Sequence, residues 1–350
     1  MKYISIKADE FEVSLERIAS ALSVDMETDF LRCKCLLLVG SQAEQLDTDS
    51  SDLDLMLVVD GHESSWGENE KFRSCLLNGM RTEVLILDDA GLKKLTTIHQ
   101  SPSYSRFALR DLEFLHRLLN GRVLHGKEWH DIFLGARREI YQERMSEFYL
   151  KFAENFYEDT VGLSVQEDSW TQIIQSRELA RLSFDALLAA NGDTYPKKKW
   201  RGRRLMRCFS ERRAVVDNFY AIEFDIPRPT KENCKIWCGA LLSLAAQNQL
   251  EIYFGVRRDL LLTEIIALPG RIEGYIFRHL GKFYLHSGFS VFEIPEAVAL
   301  CLLLLSAKFR PEDLPEKIEG VCFERNISPA GIGDAVNFVT ALVARGIYFR

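Results

Sequence analysis

Between Cys35 and Glu70 the chain carries nine carboxylates and not one lysine or arginine: Glu44, Asp47, Asp49, Asp52, Asp54, Asp60, Glu63, Glu68 and Glu70. Like charges at that density repel one another unless cations neutralise them. The stretch is not a solvated acidic tail, because it holds the apolar run Leu53 to Val59 and begins inside another, Cys33 to Val39. Short apolar runs of this length read as strands, and a helical apolar spacing before them, Val13, Leu15, Ile18, Leu22 and Val24, reads as a helix. A third strand is expected at Thr82 to Leu87, within Arg-Thr-Glu-Val-Leu-Ile-Leu.

Asp52 and Asp54 flank one apolar residue, so on a strand both carboxylates leave the same face, an arrangement suited to hard divalent cations, magnesium first among them. Alone, an Asp-x-Asp is most often the polar face of an edge strand; here its neighbours argue otherwise. The first strand ends in Gly40-Ser41, where a glycine admits a phosphate to the backbone and the serine hydroxyl and following amides can bind its oxygens. Glu83 is an acid among apolar strand residues, a placement that needs a reason. If its strand lies beside Asp52 and Asp54, it joins their site.

Leu38-Val39-Gly40-Ser41, Ser51-Asp52-Leu53-Asp54-Leu55 and Glu83 together resemble the signature of the DNA polymerase β-like nucleotidyltransferase superfamily, over roughly residues 33 to 90. The resemblance implies a mixed-sheet α+β core. In it Asp52 and Asp54 bind Mg²⁺ and a nucleoside triphosphate, Gly40, Ser41 and Ser51 orient the phosphates, and an acceptor attacks the α-phosphate with release of pyrophosphate. Glu83 is then either a metal ligand or the general base.

Residues 197 to 213 are the electrostatic opposite, with nine bases and one acid. They read as a solvated basic face, a triphosphate contact or a nucleic-acid contact in which Trp200 and Phe209 stack bases. The element around Pro196 and Trp200 resembles the helical domain of antibiotic and small-molecule nucleotidyltransferases; by that comparison Lys199 is the nucleotide contact, with Lys197 and Lys198 as lesser candidates. Glu178 and Asp185, seven apart on one helix face, are candidates for holding a polar acceptor, although surface ion pairing is the commoner role.

A length of 350 residues exceeds what one core usually fills. The expected division is a catalytic domain over 1–128, a helical domain over 129–270 and a small C-terminal domain over 271–350. The last weakly resembles a winged helix, with two strands between Gly281 and Ile294, a helix from Pro295, and a final helix from Gly331 to Arg345. It lacks a basic recognition helix, so peptide, protein or dimer contact is expected ahead of DNA.

The net charge of −7 argues against a chain that coats nucleic acid or an anionic membrane. The longest apolar run, Ala297 to Leu305, is too short to span a bilayer. Eight scattered cysteines show no C-x-x-C spacing, and a cytoplasmic protein with reduced thiols is expected. The function expected is transfer of a nucleoside monophosphate, AMP from ATP foremost, to a hydroxyl on a polar small molecule. A peptide, protein or tRNA acceptor and an inactive nucleotide-binding regulator are the alternatives.

Overall fold

The computed structural model describes residues 33–48, 51–60, 72–77, 80–134, 137–267, 274–288, 290–310 and 313–325, with a few positions between 333 and 341. The helix read over residues 11–31 and most of the final helix lie outside the described residues.

The apolar runs become strands as expected: β1 is Cys33–Val39, β2 Leu53–Val59 and β4 Met80–Leu87. Two further strands, β3 (Phe72–Leu77) and β5 (Arg122–His125), complete a five-stranded sheet in the order β3-β4-β2-β1-β5. The sheet is mixed. β2 and β4 run parallel, whereas β1–β2, β1–β5 and β3–β4 are antiparallel.

β3 escapes periodicity because it is short and alternates between exposed and half-buried positions. Its signal is the sequence Asn78-Gly79 between it and β4, a pair that favours the two-residue hairpin turn. Leu77 and Met80 are the innermost partners of that hairpin.

On one face of the sheet Leu36, Leu38, Leu53, Leu55, Leu57, Val84 and Ile86 form a buried cluster. After β4 come α2 (Asp89–Gln100) and α3 (Leu109–Asn120), the short α1 (Gly40–Ala43) having followed β1. The Asp88 side chain caps α2 by accepting from Gly91 N at 2.7 Å.

The chain divides into two compact units. The first comprises Met1–Ser101, Arg106–Tyr141 and Tyr195–Trp200; the second comprises Pro102–Ser105, Gln142–Thr194 and Arg201–Arg350. This differs from the sequence-based division in two respects. The C-terminal segment clusters with the helices, and Tyr195–Trp200 clusters with the five-stranded sheet.

After α4 (Lys127–Leu134) and α5 (Arg137–Gln166), the second unit has α6 (Ser169–Ala190) and α9 (Lys231–Phe254) packed side by side, with α7 (Arg201–Cys208), α8 (Arg213–Phe224) and α10 (Leu262–Ala267) around them. Phe184, Leu188, Leu205, Phe219, Trp237 and Leu241 are part of their shared core. α6 starts where the Asp168 side chain accepts from Thr171 N, and α9 where Thr230 accepts from Asn233 N.

C-terminal to these helices a three-stranded antiparallel sheet, β6 (Tyr275–His279), β7 (Lys282–Ser287) and β8 (Ser290–Ile294), precedes α11 (Glu296–Ser306) and α12 (Leu314–Arg325). The first hairpin turns through Leu280 and Gly281, both left-handed (φ 51° and 78°). A leucine there carries no turn signal, so β6 is hidden in the sequence.

Arg201, Arg204 and Arg207 of the basic stretch are consumed by aspartates of the second unit. Arg204 is fully buried and donates from Nε to Asp193 Oδ1 at 2.8 Å and from Nη2 to the Asp193 carbonyl at 2.8 Å. Arg201 makes a two-pronged pair with Asp185, and Arg207 reaches Asp193 Oδ2. Asp185 therefore holds arginines from within the core, while Glu178 pairs with Arg181 on its own helix. Burial alone would raise the Asp193 carboxyl; Arg204 and Arg207 overcome it and hold the group below the usual aspartate range.

Asp193→Asn leaves Arg204 buried beside a neutral partner, and a loss of about 3–5 kcal/mol is expected at pH 7. Because the carboxyl is held low, its contribution is complete above pH ~4 and disappears as pH falls through the folded-state value. Urea unfolding of both chains should show the gap narrowing below pH ~4; a gap that stays constant with pH would contradict the charge assignment.

Candidate active site

The register of three strands brings the acids together. Val39 lies opposite Asp54 across β1–β2, and Asp54 opposite Glu83 across β2–β4, so all three occupy one row on one sheet face. Asp52, two residues before Asp54, leaves from the same face.

Gly40 anchors this row. Its φ is +74°, and a Cβ built on it would sit 2.0 Å from Asp54 Oδ2 and 2.8 Å from Asp54 Cγ. The Asp54 carboxylate thus lies directly over the Gly40 α-carbon, where no other residue leaves room. Ser41 follows, nearly buried, within α1. Gln42 donates to the Asp52 carbonyl at 3.3 Å, which ties α1 to the start of β2. Ser51 closes the intervening loop, its hydroxyl accepting from Thr48 N at 2.9 Å.

The carboxylates are differently dressed. Burial raises the Asp54 carboxyl above the usual range, and the charges of Glu83 and Asp52 push it the same way; Arg117 and Lys197 oppose them. Glu83 accepts from Arg81 Nη2 at 2.7 Å, and the same guanidinium lies 3.6 Å from Asp52. Among the described residues, no three His, Cys, Asp or Glu side chains converge as a metal-holding group. The donor chemistry nevertheless fits a hard cation: all three groups supply carboxylate oxygen, and Asp54 carries an unfavourable negative field that a dication relieves.

Cations face Asp54 from α3 and from the 195–200 segment. Arg117 donates from Nη2 to Glu113 at 2.9 Å, and Lys197 Nζ lies 2.6 Å from the same carboxylate oxygen. Arg117 Nε is buried without a hydrogen-bond partner. Burial would raise Glu113, but Lys197 and Arg117 bring it below the usual range. Tyr195 is buried among Asp54, Arg117, Glu44 and Glu113, and its phenol is pushed upward, by burial foremost. Its ring lies 5.5 Å from that of His116, whose Nε2 sits 2.8 Å from Glu44 Oε1.

No family model matches the chain, and no curated protein matches it. A solved structure described as a nucleotidyltransferase-like protein from Exiguobacterium sibiricum is similar over 64% of this chain and 73% of that chain, at 12% identity and a TM-score of 0.38.

Of the residues singled out in the sequence, Gly40, Ser41, Ser51, Asp52, Asp54 and Glu83 are gathered at the ends of β1, β2 and β4. Lys199 is not brought to this row: its Nζ lies 5.1 Å from the ring centre of Trp200. Lys197, ranked below it from sequence, is the lysine whose charge reaches Asp54. Arg117 and Glu113 escaped sequence reasoning, because an i, i+4 Glu–Arg pair on an amphipathic helix reads as surface decoration.

Gly40→Ala should cost about 1–2 kcal/mol from the left-handed backbone alone, and more from collision with Asp54. In an Asp54→Ala background the collision is removed and the cost should fall by ~1 kcal/mol or more. Thermal unfolding of the four chains measures this coupling; additivity within ~0.3 kcal/mol would contradict the contact.

Proposed function

We propose that the chain is a Mg²⁺-dependent nucleotidyltransferase that moves a nucleoside monophosphate, AMP from ATP foremost, to a hydroxyl of a small-molecule acceptor. The carrying observation is the placement, within one compact unit, of a carboxylate row over Gly40 and of Arg117 and Lys197 facing Asp54. Carboxylates hold a hard cation; a guanidinium and an ammonium at the edge of that charge hold phosphate oxygens.

Asp52 and Asp54 would hold the metal, which when bound would supply charge that offsets the negative charge gathering on the leaving pyrophosphate. Arg117 and Lys197 bind phosphate oxygens, exchanging part of their pairing with Glu113 for the ligand. Glu83 accepts the proton of the acceptor hydroxyl as its oxygen bonds to the α-phosphorus. The bond from that phosphorus to the bridging oxygen breaks, and pyrophosphate leaves.

One observation favours a second reading, nucleotide binding without transfer: Arg81 engages both Glu83 and Asp52, so an internal cation occupies part of the field that a metal would fill.

The two readings separate in a single experiment. Calorimetric titration with ATP, GTP, CTP and UTP in Mg²⁺, paired with pyrophosphate release over a panel of hydroxyl acceptors, should show binding and turnover. Asp54→Asn and Glu83→Gln should each reduce turnover at least ~100-fold. Lys197→Met should weaken nucleotide binding about tenfold, whereas Lys199→Met should change it less than about twofold, consistent with an exposed side chain outside the row. Turnover that survives in Asp54→Asn would sink the metal assignment; binding with no turnover on any acceptor would favour the second reading.

A further inference from the structure

The row next to Asp54 and Glu83 on the same sheet face is made of different chemistry. Two residues along, about 7 Å away, stand Leu37, Met56, Leu85 and Phe72, the last directly opposite Leu85 across β3–β4. A cavity of about 200 Å³ opens there, floored by Leu85, Leu87 and Leu95 and walled by Phe72 and Phe114. It is smaller than the ~300–1,000 Å³ that encloses a whole drug-sized ligand, so it suits one flat portion of a molecule.

Charge at its rim is net positive. Lys94 and Asp111 pair at 2.7 Å and cancel. Arg110 is exposed and, among the described residues, pairs with no carboxylate; its guanidinium carbon stands 5.7 and 5.4 Å from the ring centres of Phe72 and Phe114. Both rings thus already have a cation against them.

We propose that this cavity is the acceptor subsite, and that the acceptor is a flat apolar molecule bearing a carboxylate or similar anion toward Arg110 and its reacting hydroxyl toward Glu83. The inference rests on the nucleotidyl-transfer reading and deepens it. A polyamine or amino sugar does not suit this wall: its ammonium groups would lose water against leucine and phenylalanine and meet Arg110. A planar anion finds apolar contact on both sides and a guanidinium whose donors are free to turn to it. The transfer is balanced: the hydroxyl proton passes to Glu83, the oxygen–phosphorus bond forms, and pyrophosphate carries away the electron pair of the bond that breaks.

The probe is 6-hydroxy-2-naphthoate, titrated into the full chain and followed by its own fluorescence. Saturable binding is expected, weakened about tenfold in Arg110→Gln and in Phe114→Ala, partly restored in Arg110→Lys, and unaffected by spermine. Asp54→Asn should leave naphthoate binding within twofold of the native chain. ATP with Mg²⁺ should not displace the probe. Binding insensitive to both Arg110→Gln and Phe114→Ala would overturn the subsite, as would displacement by spermine. Displacement by adenosine would give the cavity to the nucleobase and overturn the acceptor assignment. Absence of any nucleotide binding, with Arg110-dependent naphthoate binding intact, would mark failure of the transfer reading itself and remove the acceptor role with it.

Discussion

A carboxylate pressed onto a glycine α-carbon organises this protein's candidate site. Asp54 can lie over Gly40 only because β1 and β2 pair in the register that sets Val39 against Asp54, and because Gly40, left-handed and without a Cβ, leaves the space that the Asp54 oxygen fills. A one-residue slip would turn Asp54 into the leucine cluster on the opposite face and bring Leu53 or Leu55 up in its place. The buried leucines on that face therefore hold the acid in position as firmly as any hydrogen bond. Parallel pairing of β2 with β4 extends the same row to Glu83.

Placing acids this way is electrostatically unfavourable, and the fold answers from within one unit. Burial and two like charges raise Asp54, so the position is tolerable only with cations nearby; Arg117 on α3 and Lys197 on the 195–200 segment supply them. Both are restrained by Glu113, which keeps them close to Asp54 without placing either in direct contact with it. A site held at this balance is responsive: its acids lack full neutralisation and its cations share a single carboxylate. Phosphate oxygens together with a divalent cation would complete both sides at once.

Much of this was legible in the sequence. Short apolar runs ending at Gly40 and beginning at Leu53 locate β1 and β2 to the residue, and Asp-x-Asp spacing places two carboxylates on one face without any tertiary knowledge. α6 is punctuated by equally local signals, the Asp168 cap at its start and Asn191-Gly192 at its end. The basic stretch misled for a physical reason. Arginine alternates between solvent and core according to whether aspartates wait at the right depth, and nothing local reveals that Asp185 and Asp193 are buried where Arg201 and Arg204 arrive. The same blindness hid Arg117, whose importance comes from the face on which α3 lies. The positions of Lys197 and Lys199 differ by less than one helical turn, and only the fold of the 198–200 turn decides which charge reaches the carboxylates.

The opening imbalance of charge along the chain thus resolves into two separate problems with two separate solutions. In the first unit acids are gathered on the inner strands β2 and β4 and matched sparingly, by Arg81, Arg117 and Lys197. In the second, Arg201, Arg204, Arg207 and Arg212 each meet carboxylates, from Asp185, Asp193, Glu251 and Asp259. Close matching gives a fixed core, since breaking the Arg201–Asp185 or Arg204–Asp193 pair strands a buried charge. Sparse matching leaves a field that a ligand can still satisfy, and this physical difference marks the sheet of the first unit, rather than the more strongly basic helices, as the place where chemistry is to be sought.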